Sequence, residues 1–507
     1  MAGPFVLALD QGTTSSRAVV FDFERLPPRM AGAGQVPLPQ HFPRPGWVEH
    51  DPEEIWATQL EASGAALRAA GVGPAALAAV GIANQRETAV LWRRVDGRPV
   101  ANAIVWQCRR TAGQCARLEA EGRGREIAGR TGLRLDPYFS ATKLAWLLEH
   151  VPGAAHAAAA GELAFGTVDT WLLWRLTGGR VHATDATNAS RTMLFDIHRL
   201  RWDPDLLALF GVPAAVLPEV LPTAGPAGRT APDVFGAAVP VTALAGDQQA
   251  SLFGQGCWSA GEGKNTYGTG CFLLLHTGER APAPSAAGLL GTVARGLGAG
   301  AEYALEGSVF SAGAAVQWLR DGLGLFRRSE EVERLAASVP DAGGLAFVPA
   351  FTGLGTPDWD PAARGAILGL TRGATAAHLC RAALEAIAHQ SADVHAALVR
   401  EAGLRPAPLR ADGGAARNDL LLQIQADLLG LPVLRSEPLE STVFGAALLG
   451  ALGAGIVRST DELRPAVGEG RRFVPEMDGA ARAGARRTWR RAVERSLGWA
   501  AEEGPAP

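Results

Sequence analysis

Lysine is almost missing from this chain of 507 residues: Lys143 and Lys264 are the only interruptions in a basic set made otherwise of arginine. Coding bias accounts for the arginines. The two lysines that survive it are better than average candidates for positions where a compact ammonium is needed. Cysteine is sparse too. Cys108, Cys115, Cys257, Cys271 and Cys380 are scattered, odd in number and without a CxxC pair, which argues against a disulfide framework and a zinc site. A basic excess is absent, with 48 basic against 51 acidic residues and a net charge of −3, so no nucleic-acid partner is expected. No apolar run approaches the roughly 18 residues that span a bilayer. The start, MAGPFVLALDQG, has no basic n-region and its apolar run stops at Asp10, so a cytoplasmic protein without membrane insertion is expected.

What is present describes an ordinary globular chain, 47% apolar and 20% charged. At roughly 150 residues per domain, the length fits two large domains or three small ones. FVLALD (5–10), QGTTSS and RAVVFD (17–22) read as strand, turn and strand. Residues 24–50, rich in Pro and Gly, read as irregular or edge structure, and the pattern becomes helical from Pro52. LAAVGIA (77–83) is a buried strand, AIVWQ (103–107) another, followed by a long polar helix over 109–128; further helices are expected over 140–150 and 169–177. VPVTALAGDQQA (239–250) is an apolar strand that breaks at Gly246. A second strand–turn–strand unit follows in GEGKNTYGTGCFLLLHTG (261–278), and LRADGG (409–414) is a strand ahead of a helix. Alternating strands and helices predict an α/β fold, and the repeated hairpin predicts two related halves that divide near residue 250.

Three glycine-rich turns carry the chemistry: DQGTTSSR (10–17), YGTGC (267–271) and DGGAARN (412–418). Glycine lets backbone N–H groups approach an anion, and Thr and Ser hydroxyls add donors. Any one of them alone reads most simply as a hairpin or helix entry; three, each after a buried strand, point to a bound nucleotide. The P-loop pattern GxxxxGK[ST] is absent, as is a GxGxxG opening an early βαβ unit. Polar residues also cluster just past strand ends, where ligands bind in α/β folds: Arg86 and Glu87, then Asp247 and Gln248. An Arg–Glu pair suits two adjacent hydroxyls, and Trp106, Tyr138 and Phe272 could wall the C–H face of a small polyol. Each of these has a plain alternative, a surface ion pair for the charges and core packing for the rings.

Taken together, DQGTTSSR, NQRET, IVWQCRRT, DPYFSATKLAW, AGDQQA, KNTYGTGCF and DGGAARND resemble the glycerol kinases, a branch of the sugar-kinase family. Two further stretches match general family patterns, YFSATKLAWLLEH (138–150) and GAILGL (365–370) through HLCRAALE (378–385). The resemblance implies two actin-like (ribonuclease-H-like) domains, 1–250 and 251–507, closing around a deep cleft that holds ATP, Mg2+ and glycerol. It implies Thr13, Thr14, Ser15 and Arg17 at the nucleotide phosphates, Thr269, Gly313 and Gln317 at the nucleotide from the second domain, and Gly414 and Asn418 beside the adenosine. Asp10 would position Mg2+, and Asp247 would be the general base. Arg86, Glu87, Tyr138, Asp247 and Gln248 would bind glycerol hydroxyls, with Trp106 and Phe272 against the carbon chain. A homo-oligomer, dimer or tetramer, is implied as well. Another small polyol or a pentulose is the alternative substrate, and an actin- or chaperone-like ATPase is a more distant one. Three stretches depart from the family pattern: Thr356-Pro357-Asp358, Arg417, and residues 24–40, which do not follow the usual strand pattern.

Overall fold

The computed structural model describes residues 4–468 and 470–500. Its first strands, β1 (Phe5–Gln11) and β2 (Ser15–Asp22), form an antiparallel hairpin whose turn is closed by the Gly12 N–H donating to the Ser15 carbonyl at 3.0 Å. β3 (Arg29–Pro37) adds antiparallel to β2 as an edge strand. Helix α1 (Pro52–Ala70) begins at an Asp51 cap whose carboxylate accepts from the Glu53 N–H, has proline in its first turn and ends at Gly71. It crosses over to β4 (Leu77–Asn84), which runs parallel to β1, as parallel pairing requires. β5 (Pro240–Gly246) then pairs parallel to β4.

Within the 24–40 stretch that departs from the family's strand pattern, Arg29–Pro37 is this edge strand, in line with the irregular-or-edge reading, and packing explains its glycines. A Cβ on Gly32 would lie 2.4 Å from the Ala70 nitrogen, and one on Gly34 would lie 2.3 Å from the Ala62 carbonyl oxygen. Helix α1 sits directly on the β3 backbone, so only glycine fits where larger residues usually mark a strand. Two expectations are corrected. Over 103–107 only Ala103–Ile104 is extended, and the chain turns at once with the Cys108 N–H on the Val105 carbonyl. The polar helix over 109–128 is two helices, Ala112–Ala120 and Gly124–Thr131, parted where Gly122 takes φ 77°.

The second half repeats the design. β6 (Gly263–Tyr267) and β7 (Cys271–Gly278) form the second hairpin, β8 (Ala301–Val309) adds antiparallel to β7, and β9 (Leu409–Asp412) and β10 (Val433–Arg435) follow in parallel beyond β6. Helices α2 (Ser140–His150) and α3 (Asp247–Gly254) lie between β4 and β6 in the chain. Across their centres the sheets read β3-β2-β1-β4-β5 and β8-β7-β6-β9-β10, with strand directions matching. Ala224–Arg229 lies antiparallel beyond β5 as Arg471–Phe473 does beyond β10, and the second sheet has one extra edge strand, Leu290–Gly296. This is the two-unit actin-like architecture, and in each unit the hairpin opens the sheet from its centre.

One helix joins the halves. α4 (Ser441–Gly453), late in the chain, packs on the first sheet: Phe444, Ala447 and Leu448 share a core with Val6, Ala8, Val19 and Ala79. A buried polar knot lies beside it, where the Ser251 and Ser441 hydroxyls donate to the Asp412 carboxylate. All five cysteines are free and buried. Asn188, the acceptor of an Asn-Ala-Ser triplet, is fully buried with its amide on Asp185 and Asn84, so the triplet is core rather than surface. No helix among the described residues is long and apolar enough to cross a membrane.

Candidate active site

β1, β4 and β5 run parallel, so their carboxyl ends share one edge of the first sheet. Asp10 lies near the end of β1, Arg86 and Glu87 just beyond β4, and Asp247 just beyond β5 at the first turn of α3. Burial, the Asp247 charge and that of Glu440 push the Asp10 carboxyl up to about 7, against a smaller opposing pull from Arg17. Each carboxylate disfavours charge on the other unless a cation intervenes.

Arg86 is the hub. Its Nε lies 3.3 Å from Asp247 Oδ1 and 3.8 Å from Glu87 Oε1, and its two terminal nitrogens clasp Glu306 at 2.6 and 2.9 Å. Arg191 closes the ring, donating from Nε to Glu87 at 2.6 Å and from Nη2 to Glu306 at 3.1 Å. Two guanidinia and two carboxylates are thus buried as a neutral quartet. Burial alone would raise the Glu306 carboxyl, but Arg191 and Arg86 outweigh it and hold the group at about 2. Asp247 stands apart from the quartet by access: its side chain is 29% exposed, whereas that of Glu87 is 1% exposed. Oδ1 of Asp247 is fixed by Arg86 and by the Gln248 N–H at 2.7 Å, while Oδ2 has no hydrogen-bond partner among the described residues. An anchored carboxylate with one open oxygen is the geometry a general base needs.

Trp106 and Tyr138 meet edge to face, 5.5 Å between centroids, and the Trp106 indole N–H donates to the Thr13 hydroxyl at 2.9 Å. The aromatic wall is therefore tied to the first glycine turn. In that turn Gln35 donates to the Ser15 hydroxyl, the Thr14 carbonyl accepts from the Leu38 N–H, and Thr14 is exposed. Arg17 pairs with Glu440, which comes from the far end of the chain. Gln248 is held by Lys264, whose ammonium also donates to Thr266 at 2.8 Å. Phe272 sits on β7 between Thr266 and Ser308, and no ring contact with Trp106 or Tyr138 is formed among the described residues.

The second set of nucleotide candidates also converges. The Thr269 carbonyl accepts from the Ala312 and Ala314 N–H groups, and the Gly313 N–H donates to the Gly268 carbonyl, so the glycine turn abuts the start of the helix Gly313–Asp321 that carries Gln317. The Gly413–Gly414 turn lies against the Tyr267 backbone, and Asn418 caps the helix Asp419–Leu429 by accepting from the Leu421 N–H at 2.8 Å. No hydrogen bond or ion pair among the described residues links this set to Thr13, Thr14, Ser15 or Arg17. Of the departures, Asp358 pairs with Arg490 of the C-terminal helix at 2.6 Å, and Arg417 is exposed. A cavity of about 380 Å3 between Asp341 and Trp489 shares no residue with these sites.

Sequence reasoning missed Glu306 and Arg191. Glu306 did leave a signal, a charge in the middle of the strand AEYALEGSV among apolar and small neighbours, fully buried in the structure. Arg191 left none beyond its position next to the Asn-Ala-Ser triplet.

The N-terminal domain of the FGGY family of carbohydrate kinases matches residues 5–254, and the C-terminal domain matches residues 263–454. The chain is 58% identical to a glycerol kinase of Aromatoleum aromaticum over 497 residues, covering 98% of this chain and 99% of that one. It is also 58% identical to a glycerol kinase of Thermus brockianus, over 98% and 99% of the two chains. Among solved structures, the glycerol kinase of Plasmodium falciparum with ADP superposes with a TM-score of 0.90 at 33% identity, over 97% of this chain and 98% of that one. A gluconate kinase from Lactobacillus acidophilus shares the fold, at a TM-score of 0.86 and 21% identity over 98% of each chain. The chain belongs to the FGGY family of carbohydrate kinases.

Proposed function

We propose that the protein transfers the γ-phosphoryl group of ATP to glycerol, giving sn-glycerol 3-phosphate and ADP. The observation that carries this reading is the Arg86 hub, which brings the half-open Asp247 carboxylate and the Arg86–Glu87 pair to one strand edge, with Tyr138 bearing on the same charges. Phosphoryl transfer depends on positioning and charge neutralisation more than on covalent chemistry. Asp247 takes the proton of the terminal hydroxyl through Oδ2 as that oxygen attacks phosphorus. Arg86, Glu87, Tyr138 and Gln248 hold the hydroxyls, and Trp106 and Phe272 cover the carbon chain. Thr13, Thr14, Ser15 and Arg17 hold phosphates from one side and Thr269, Gly313 and Gln317 from the other, with Gly414 and Asn418 beside adenosine. The two units, 1–250 and 251–507, close on the substrates and exclude water, which would otherwise be the acceptor.

The Asp10–Asp247 pair fits a divalent cation, since the mutual repulsion that raises the Asp10 carboxyl disappears when Mg2+ lies beside it. When bound, Mg2+ neutralises charge on the phosphate oxygens. A carboxyl raised in the folded state adds stability at low pH that is lost as pH rises through about 7. Asp10→Asn should therefore raise the melting temperature of the metal-free protein more at pH 8 than at pH 5, and abolish the stabilisation by Mg2+ and nucleotide together. Equal shifts at both pH values would remove the Asp10 carboxylate from this role.

The five buried thiols suit a reducing, cytoplasmic setting. The homo-oligomer, dimer or tetramer, is supported by the sequence resemblance alone. Substrate choice is tested by ADP release over a panel of glycerol, longer polyols, pentuloses and gluconate, with glycerol expected first. Trp106→Ala should weaken glycerol use by roughly 1–3 kcal/mol through lost apolar contact and relax discrimination against longer polyols. Trp106→Phe keeps the wall but frees the Thr13 hydroxyl, so it should spare acceptor choice and shift the KM for ATP. Parent-like kinetics in both variants would reduce Trp106 to packing.

A further inference from the structure

Lys143 has no part in the proposed transfer, yet it is fully buried, and a buried ammonium needs a reason. It projects from the first turn of α2 and donates to two main-chain carbonyls, those of Glu87, at 3.1 Å, and Tyr138. Ser140, three residues earlier in the same turn, donates its hydroxyl to the same Glu87 carbonyl at 3.0 Å. The segment they grip is unusual. Glu87 takes φ 61°, a left-handed conformation that costs a non-glycine residue energy, and the Thr88 N–H closes a tight three-residue turn onto the Arg86 carbonyl at 2.8 Å. Such a turn persists only when its surroundings hold it. Here the two external donors to its central carbonyl come from one helix end, and one of them also fixes the carbonyl of Tyr138. A point ammonium with three rotatable donors reaches both carbonyls at once, where a planar guanidinium would need a wider seat.

We propose that Lys143, assisted by Ser140, is a positioning residue for the polyol site: it locks the Glu87 turn to the Tyr138 backbone and so sets the separation of the two side chains that receive the acceptor's hydroxyls. This rests on the reading of the site as an acceptor site for a small polyol. Arg86 and Asp247 flank the same turn, and among the described residues no hydrogen bond or ion pair links Lys143 to the first glycine turn or the Thr269 region, so its effect should fall on the acceptor.

Lys143→Met keeps length and removes the donors. Steady-state kinetics with glycerol and ATP varied separately should show a glycerol KM raised on the order of tenfold, as expected for lost charge-assisted bonds, with the KM for ATP within about twofold of the parent. A general loss of structure would move both constants together with the melting temperature. Parallel shifts, or no shift, in a folded Lys143→Met protein overturn the proposal. If that variant does not fold, Ser140→Ala decides. A several-fold rise in glycerol KM alone upholds the lock, and an unchanged glycerol KM overturns it. A parent enzyme that ignores glycerol but uses another panel acceptor contradicts the proposed substrate instead, and the same two variants are then judged on that acceptor.

Discussion

Asp247→Asn should lower turnover by roughly 10²–10⁴, the usual cost of losing a general base, while nucleotide binding survives. The substitution keeps the side chain's size, and its carbonyl oxygen can still accept from the Gln248 N–H, with Arg86 Nε 3.3 Å away. What disappears is the open Oδ2 and with it the site that receives the hydroxyl proton. Because the quartet behind it is neutral without Asp247, the fold should tolerate the change and the melting temperature should move little. Single-turnover kinetics separate the two effects: the chemical step slows, and the ATP concentration dependence stays near that of the parent. A variant that turns over at the parental rate removes Asp247 from the chemistry.

Glu306→Gln should destabilise the protein strongly, by about 3–5 kcal/mol, because breaking one member of a buried ion network strands the others. Glu306, its side chain fully buried, takes both terminal nitrogens of Arg86 and one of Arg191. Glutamine fills the volume but offers one acceptor and a donor where two acceptors are required, leaving two buried guanidinia against Glu87 and the partly exposed Asp247. Arg86 also loses the clasp that aims its Nε at Asp247, so acceptor binding should weaken in whatever protein folds. The pH dependence has a definite sign. A carboxyl held at about 2 stabilises the fold at every pH above its unfolded value near 4.5, and this is lost as pH falls towards 2. The gap in melting temperature between parent and variant should therefore be full at pH 7 and narrow below pH 4.5. A constant gap would mean that lost packing, rather than charge, sets it.

The hairpins, the crossover helix and the strand-end clusters were legible because each is written locally. Alternating strands around Gly-Thr turns, Asp51-Pro52 before an amphipathic run and Gly246-Asp247 after an apolar strand all state their structure within a few residues. Gly32 and Gly34 misled because their meaning is tertiary, the approach of α1 to β3. The packing of Phe444 and Leu448 onto the first sheet was invisible for the same reason, since a local pattern cannot say which of two similar sheets an apolar helix covers. Within the site, Arg86, Glu87 and Asp247 could be read from their positions after strands. Their partners Glu306 and Arg191 come from distant segments, and only the fold reveals that the charges balance. The two lysines fall between these cases. Their scarcity singled them out, but that Lys143 holds carbonyls and Lys264 holds Gln248 could be learned only from the three-dimensional structure.

The central claim, that this cluster phosphorylates glycerol on a terminal oxygen, is tested most directly by mass and stereochemical identification of the product formed from ATP and glycerol. Incubation with Mg2+ should yield sn-glycerol 3-phosphate in step with ADP, and roughly 10²–10⁴ less of it with Asp247→Asn on the same timescale. ADP released without a glycerol phosphate, or glycerol left unchanged while a pentulose is phosphorylated, would contradict the account.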